Sequence, residues 1–237
     1  MSRFETTHWS VVVKAGGDGP DARHALETLC QRYRAPVLSY LRRHERTDSD
    51  AQDLTQAFFE RLIRLKLHDR ADPARGRFRT FLLTALDNFV RDEHLHSTRL
   101  KRGGADAAKP LDEDTESSAI DSDTPEADFD RRWALSVLDC AVGRLAAQCE
   151  RNGKGELFRA LKSCVIEPVE HDAYHELAAQ LRARPNTIAA AVQRLRHSLR
   201  HHIREELADT VQSDADVDSE LIALREALAF AGASRSG

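Results

Sequence analysis

The sequence predicts an all-α protein with two small helical domains that are joined by a flexible acidic linker. Three observations lead to this prediction. The 237 residues include only 11 Gly and 7 Pro, 31% of them are charged, and alternating runs of strand-forming residues are nearly absent. Apolar residues instead recur at helical spacing in two separate blocks, and long charged side chains suit the outer faces of helices.

Composition also narrows the class of protein. No stretch approaches the roughly 18 uncharged apolar residues of a membrane-spanning helix, and the N-terminus lacks the basic and apolar segments of a secretion signal. We therefore expect a cytoplasmic protein without membrane contact. The four cysteines form no C-x-x-C pair, so we expect reduced, mostly buried thiols and no bound metal or cofactor. They are Cys30, Cys140, Cys149 and Cys164.

Charge is distributed unevenly along the chain, although the net charge is only −4. Residues 22–102 include 17 basic and 11 acidic side chains, and residues 131–207 include 13 and 9. Between these basic blocks, residues 103–130 include one basic and 10 acidic side chains, and residues 208–237 include 2 and 6. Basic blocks are compatible with nucleic-acid binding, although a charge run by itself more often marks a solvated surface.

The first domain is predicted at residues 22–102, after an N-terminal extension at 1–21. The Gly-rich cluster at 16–20 interrupts the chain, and Asp21 is a suitable cap for the helix that follows. Three segments then have apolar residues at helical spacing, so we predict three helices around one core. These residues are Leu26, Leu29, Cys30, Tyr33, Val37 and Leu38, then Ala51, Leu54, Phe58, Leu62 and Leu65, then Phe78, Phe81, Leu82, Ala85, Leu86, Phe89 and Val90.

A linker and a second domain are predicted to follow. Residues 103–130 are acidic and poor in apolar side chains, so burial cannot offset the entropy of ordering them. The second domain is predicted at 131–208, where apolar residues return from Trp133 onward. The tail at 209–237 contains Leu221, Leu224 and Leu228 at the spacing of an amphipathic helix. Packing of this helix on the second domain, regulation of that domain and a frayed end are all open.

A helix-turn-helix is predicted near the end of the second domain. Residues 174–181 are typical of a short amphipathic helix, and Pro185 suits the first position of the next one. No acidic residue occurs between 177 and 204. The second helix is therefore suited to the major groove, with its first residues near base edges and its later arginines on phosphates. A helical hairpin with a solvated basic side is the alternative.

Three segments of the sequence resemble the extracytoplasmic-function class of sigma factors, in the sigma-70 family. The segment HELAAQLRARPNTIAAAVQRLRHSLR resembles region four, which reads the minus-thirty-five promoter element. The segment DAQDLTQAFFERL resembles the region-two helix that binds the polymerase, and GRFRTFLLTALDNFVRDEH resembles the segment that opens and reads the minus-ten element. The resemblance implies region two at 22–102, region four at 131–208, and a non-enzymatic initiation factor.

The resemblance also implies partners and site residues. The partners are promoter DNA and core RNA polymerase, through the beta-prime coiled coil and the beta flap. An aromatic side chain beside basic residues is suited to single-stranded DNA, and an amide is suited to a base edge. The implied residues are Asp50, Asp53, Gln56 and Phe58 for polymerase, Arg77, Phe78, Arg79, Phe81, Asn88 and Asp92 for the minus-ten element, and Arg184, Asn186, Thr187, Arg194 and Arg196 for the minus-thirty-five element.

The polymerase-binding helix departs from the family pattern in charge. Gln52 stands where the family has Glu, Ala57 where it often has a second Glu, and Thr55 where it usually has Val. A phosphate on Thr55 would add roughly −1.5 to −2 charge. The helix and the N-terminal TTHWS also resemble a subset of these sigma factors controlled by serine/threonine kinases. Our hypothesis is that a kinase modifies Thr55 and so switches on polymerase binding; the alternative is that the existing aspartates suffice.

Two other classes of protein compete with this interpretation. A metal-dependent enzyme is suggested by the i, i+4 spacing of His171 and His175, with His94 and His96 elsewhere, but no Glu lies between the first pair as in H-E-x-x-H. A helix-turn-helix regulator that binds duplex DNA without polymerase would explain the second domain. It has no need for the GRFRTFL segment of the first domain.

Overall fold

The computed structural model describes residues 20–45, 47–64, 77–101, 124–167, 171–211 and 213–233. These residues are helical apart from short turns and one isolated antiparallel bridge between Arg77 and Val211, so the all-α prediction is confirmed. The helices are α1 Pro20–Leu41, α2 Asp48–Arg64, α3 Phe78–Lys101, α4 Pro125–Arg151, α5 Gly155–Ile166, α6 His171–Gln180, α7 Pro185–Ala208 and α8 Asp214–Ala233. The predicted extension up to residue 19 and the linker from 103 to 123 lie outside the described residues.

The chain divides into two compact units. The first comprises residues 1–134 together with 208–237, and the second comprises Leu135–Leu207. The predicted tail therefore belongs to the first unit, and not to the second domain, on which its packing had been left open. In the described residues, α8 buries Val217, Leu224 and Ala227 within this first unit.

The predicted linker range at 103–130 overlaps helix α4, which already begins at Pro125. Thr124 caps this helix: its hydroxyl accepts a hydrogen bond from the Ala127 amide at 3.1 Å. Glu126 and Asp128 lie in the first turn, where negative charge favours a helix because of the helix dipole. Phe129 is fully buried. Some of the acidic residues assigned to the linker thus belong to the first turn of a helix.

Aromatic side chains form the core of the first unit. Tyr33 of α1 meets the ring of Phe78 edge-on, with the centroids 5.0 Å apart, and stacks at 6.3 Å with Phe129 of α4. Phe58 of α2 meets Phe89 of α3 at 5.5 Å. Aromatic pairs at these distances add to the stabilisation from burial. The predicted packing of the first three helices around one core agrees with these contacts.

The second unit has its own apolar core, built from α4, α5, α6 and α7. Two turns in this unit end helices in the same way. After α4, Gly153 has φ +66° and the Lys154 amide bonds to the Cys149 carbonyl at 2.8 Å. After α6, Arg182 has φ +49° and the Ala183 amide bonds to the Ala178 carbonyl at 2.9 Å. Both are left-handed helix caps, a position that normally favours glycine.

The two turns differ in the residue at the left-handed position, which is Gly153 in one and Arg182 in the other, and this difference gives a prediction. A side chain in the left-handed region costs about 1 kcal/mol, so Arg182→Gly is expected to raise the stability of the second unit by roughly 0.5–1 kcal/mol. The reverse change at the matching cap, Gly153→Ala, is expected to lower it by a similar amount. Differential scanning calorimetry of the full chain measures both variants. Equal stability of Arg182→Gly and the wild type would contradict the assigned cap geometry.

Three of the cysteines are buried, Cys140 is exposed, and none of the four forms a disulfide. This agrees with the expectation of reduced, mostly buried thiols. Burial raises the pKa of the Cys30 thiol to about 12, so this group stays protonated and packs as a small apolar residue. Across the part of the chain that the structure describes, no helix has the length and apolar character needed to cross a membrane.

Candidate functional site

The candidate site in the first unit is an acidic groove bordered by α1, α2 and α3. Helices α2 and α3 and the turn after α1 supply its carboxylates. They are Glu45 after α1, Asp50 and Asp53 on α2, and Asp87 and Glu93 on α3. The basic side chains at this groove are Arg91, His44 and His94. The groove is therefore suited to a partner that presents basic residues.

The charge deficit predicted for α2 is compensated by its neighbours. Gln52 is exposed and donates a hydrogen bond to Asp48 at 2.7 Å, and Ala57 is exposed beside the groove. Asp87 and Glu93 supply the additional negative charge from α3. Both were missed because the prediction followed the motif of one helix, and nothing local to α3 indicates that its carboxylates border the same groove as those of α2.

Asp87 is also held in place by a tyrosine. Tyr40 of α1 donates its hydroxyl proton to Asp87, which links α1 to α3 at the groove. Burial, together with the adjacent carboxylate, raises the pKa of Tyr40 above its ordinary value, so the hydroxyl stays protonated and continues to donate. The position of Asp87 is thus fixed before any partner arrives.

Three of the four residues predicted to bind polymerase lie on the exposed face of α2. Asp50, Asp53 and Gln56 are all exposed. Asp50 also helps begin the helix, because its amide donates to the Thr47 hydroxyl at 3.1 Å while that hydroxyl donates to the Asp50 carboxylate at 2.6 Å. This reciprocal pair resembles a capping box. Gln56 donates to Glu60 one turn later at 2.8 Å.

Phe58, the fourth of these residues, is in the core and not on the surface. Its exposed fraction is 1%, and its ring contacts those of Phe59 and Phe89. A side chain with no exposed area cannot contact a partner directly. The prediction that Phe58 binds polymerase is therefore wrong, and its role is to pack α2 against α3.

Thr55 is buried as well, which contradicts the hypothesis of a kinase target on the helix surface. Its exposed fraction is 1%, and its hydroxyl donates to the Ala51 carbonyl at 2.7 Å. A kinase needs access to that oxygen, and a phosphate there would bring charge into an apolar core. The physical reason for the error is that 51, 55, 58 and 62 lie on one buried stripe of α2.

Helix α3 presents some of the residues predicted to read the minus-ten element. Asn88 is exposed on this helix, one turn before Asp92, which is also exposed. Asp92 accepts a hydrogen bond from Arg61 of α2. Phe81 is half-buried. These side chains share one helix with the groove residues Asp87 and Glu93, so the site lies on two sides of α3.

The beginning of α3 departs from the prediction. Phe78 is fully buried, so the prediction that it captures single-stranded DNA is wrong. Arg79 has an exposed side-chain fraction of only 11% and pairs with Glu220 at 3.0 Å and with Asp130 at 2.6 Å. Burial lowers the pKa of Arg79, but these two carboxylates outweigh that effect and raise it above its ordinary value. As folded, Arg79 is not available to a phosphate.

In the second unit, α6 and α7 are joined by the turn at 181–184. Four of the residues predicted to contact the minus-thirty-five element are exposed, namely Arg184, Asn186, Thr187 and Arg194. The fifth, Arg196, is half-buried and donates from Nη2 to the Cys164 carbonyl at 2.6 Å and the Glu167 carbonyl at 3.0 Å. These carbonyls end α5, so Arg196 caps that helix. The prediction of a phosphate contact at Arg196 is therefore wrong.

No group of three or more His, Cys, Asp or Glu side chains is placed to hold a metal ion among the described residues. His171 and His175 both lie on α6, and His175 is exposed. Two charged surfaces are left for the predicted functions. One is the acidic groove of the first unit, and the other is formed by exposed basic side chains of α7, among them Arg194 and Arg200.

Comparison with known proteins gives one similarity, which covers the first three helices. The sigma-70 region 2 family model matches residues 29–100, which run from within α1 to the end of α3. No curated protein and no solved structure matches the chain. The matched residues include the acidic groove and the exposed Asn88. The first three helices of the first unit are therefore similar to sigma-70 region 2.

Proposed function

We propose that this protein is a sigma factor of the extracytoplasmic-function type that binds core RNA polymerase and directs it to promoters. The observation that carries the proposal is the region 2 match at residues 29–100. Sigma-70 region 2 implies binding to core polymerase and promoter DNA. The acidic groove and the exposed amide of Asn88 lie in this matched segment, which supports the assignment of both partners to it.

The acidic groove is the proposed binding site for the beta-prime coiled coil of the polymerase. Asp50 and Asp53 were expected from the sequence, and we add Asp87 and Glu93 of α3. Because all four carboxylates border one groove, a basic partner surface would contact two helices at once. Charge complementarity of this kind accelerates association and disfavours wrong partners.

Helix α3 is the proposed reader of the minus-ten element. Asn88 is exposed, and its amide both donates and accepts hydrogen bonds, as recognition of a base edge requires. The half-buried ring of Phe81 is the aromatic surface that remains for base stacking after Phe78 is assigned to the core.

Helices α6 and α7 are the proposed region four, a helix-turn-helix that contacts the minus-thirty-five element and the beta flap. The support is a tight turn followed by exposed Arg184, Asn186 and Thr187 at the N-terminal end of α7. Arg194 lies further along the same helix and is exposed. This arrangement suits base contacts from the first turn of the helix and phosphate contacts from later turns.

The different surroundings of Arg194 and Arg196 give a prediction. Arg194→Ala is expected to weaken binding to duplex DNA of random sequence and to reduce the salt dependence of log Kd by about one unit, because one phosphate contact is lost. Arg196→Ala is expected to lower thermal stability, because the carbonyls at the end of α5 lose their donor. Fluorescence anisotropy over a salt series measures the first effect, and calorimetry measures the second. Equal salt slopes for Arg194→Ala and the wild type would contradict the assignment.

The decisive experiment is transcription by core polymerase from the native host. With this protein added, promoter-specific transcripts are expected from genomic DNA fragments. A variant with Asp53→Arg and Asp87→Arg is expected to lose polymerase binding while it keeps affinity for duplex DNA. If the wild-type protein binds duplex DNA but never core polymerase, the chain is a helix-turn-helix regulator and the proposal fails.

A further inference from the structure

The C-terminal helix α8 covers the beginning of α3, which no sequence motif predicted. The Phe78 amide, the first of α3, donates to the Thr210 carbonyl at 3.1 Å, and Arg77 forms a bridge with Val211. The backbone that leads into α8 therefore satisfies the N-terminus of α3. Thr210 and Val211 are both buried in this contact.

Side chains of α8 form ion pairs with Arg77, which directly precedes α3, and with Arg79 in the first turn of α3. Arg79 donates from Nε and Nη2 to the two carboxylate oxygens of Glu220, each at 3.0 Å. Arg77 lies 3.4 Å from both Asp216 and Glu220. The Glu220 side chain has an exposed fraction of 1%, so this contact is shielded from solvent. These are the arginines that the sequence predicted to contact promoter phosphates.

A carboxylate and a phosphate are interchangeable partners for arginine. Both accept the parallel hydrogen bonds of the guanidinium fork, so exchange of one for the other keeps the same number of charge-assisted bonds. The segment 208–233 also carries six acidic residues against one arginine, Arg225. In its present position, this segment both occupies Arg77 and Arg79 and repels the phosphate backbone.

The apolar attachment of α8 is modest. Val217, Leu224 and Ala227 are its buried apolar side chains among those described, and Ile222 on the same helix is 59% exposed. Asp216 and Glu220 of this helix form ion pairs with Arg77 and Arg79 at the start of α3. A competing polyanion would therefore remove these ion pairs.

We propose that α8 is a built-in competitor of promoter DNA: it holds Arg77 and Arg79 in the free protein, and Arg77, whose carboxylate partners both lie on α8, contacts phosphates only after α8 leaves. This inference rests on the proposed function, because promoter DNA is the ligand for which α8 competes. It assigns the acidic tail a role in preventing DNA binding before the initiation complex forms.

The test compares two charge-matched variants of the full-length protein. In Asp216→Asn with Glu220→Gln, the two carboxylates that hold the arginines become neutral amides of the same size. In Asp214→Asn with Glu226→Gln, two exposed carboxylates of the same helix are neutralised instead. The net charge changes equally in both. The first variant is expected to bind random-sequence single-stranded DNA about tenfold more tightly than the second, because Arg77 loses both of its charged partners and Arg79 keeps only Asp130 of α4. Anisotropy of a fluorescein-labelled strand measures this difference.

Two further variants keep the test interpretable. Arg77→Ala in the Asp216→Asn and Glu220→Gln background is expected to cancel most of the gain. The single change Asp216→Asn is expected to disturb the fold less, because the Asp216 side chain is 25% exposed. It replaces the double variant in the test if the double variant loses the circular dichroism of the wild type. Equal affinities of the charge-matched variants would overturn the inference.

Hydrogen exchange tests the departure of α8 directly. In the complex with core polymerase and promoter DNA, the amides of α8 are expected to exchange faster than in the free protein. If α8 stays protected in a complex that transcribes, the inference fails and the proposed function stands. If neither wild type nor any variant directs promoter-specific transcription, the proposed function itself fails.

Discussion

Thr55→Glu is expected to destabilise the first unit by about 3–5 kcal/mol, because it places an uncompensated carboxylate in the core. The wild-type hydroxyl is buried and already bonded to the Ala51 carbonyl at 2.7 Å. Thr55→Val keeps the shape of the side chain and loses only this hydrogen bond, so a change within about 1 kcal/mol is expected. Ala57→Glu is the matched control, since it adds the same charge to the exposed side of the same helix.

Urea unfolding followed by Trp133 fluorescence, in a Trp9→Phe background, measures these three variants. Trp133 is buried in the first unit and therefore reports on it. The order of stability is expected to be wild type, Thr55→Val and Ala57→Glu close together, with Thr55→Glu far below. A Thr55→Glu variant that is as stable as the wild type and more active in transcription would restore the kinase-switch hypothesis.

The second large effect is expected at Phe78. Phe78→Ala should cost about 3–5 kcal/mol, because it removes a fully buried ring that meets Tyr33. Phe81→Ala, three residues later, should cost roughly half as much, because Phe81 is half-buried. Unfolding of both variants, measured with the same Trp133 signal, gives the comparison.

Transcription separates the structural role from a role in DNA opening. Phe78→Leu retains most of the apolar volume, so it is expected to keep both the fold and promoter opening. Phe81→Leu removes the aromatic ring that the proposed function uses for base stacking, and open-complex formation is expected to fall while stability changes little. A Phe78→Leu protein that folds normally but fails to open promoters would show that Phe78 acts on DNA after all.

The acidic groove illustrates why a motif in one helix is an incomplete description of a site. The sequence of α2 alone suggested a helix short of negative charge, at Gln52 and Ala57. Asp87 and Glu93 of α3 border the same groove and supply carboxylates. These carboxylates give the groove negative charge without any modification of Thr55.

Helical periodicity determined most of the secondary structure from the sequence alone. Apolar spacing correctly identified α1, α2 and α3, because a helix that packs on a core must repeat its apolar residues every three or four positions. The same rule also predicts that Thr55 is buried, because Thr55 lies on the same apolar stripe as Ala51 and Phe58. Reading Thr55 by its motif position rather than by this stripe caused the error.

The tertiary structure alone decided which charged residues are available. Arg79 and Glu220 are 141 positions apart, and nothing local in either segment specifies that they meet. The sequence of the tail specifies only that its helix has an apolar face, and such a face can pack equally well on many apolar surfaces. Its packing in the first unit follows from complementary shape and charge at the start of α3, which exist only once the chain has folded. Local sequence thus fixed where the helices form, whereas contacts between distant segments fixed which of their side chains can meet polymerase and DNA.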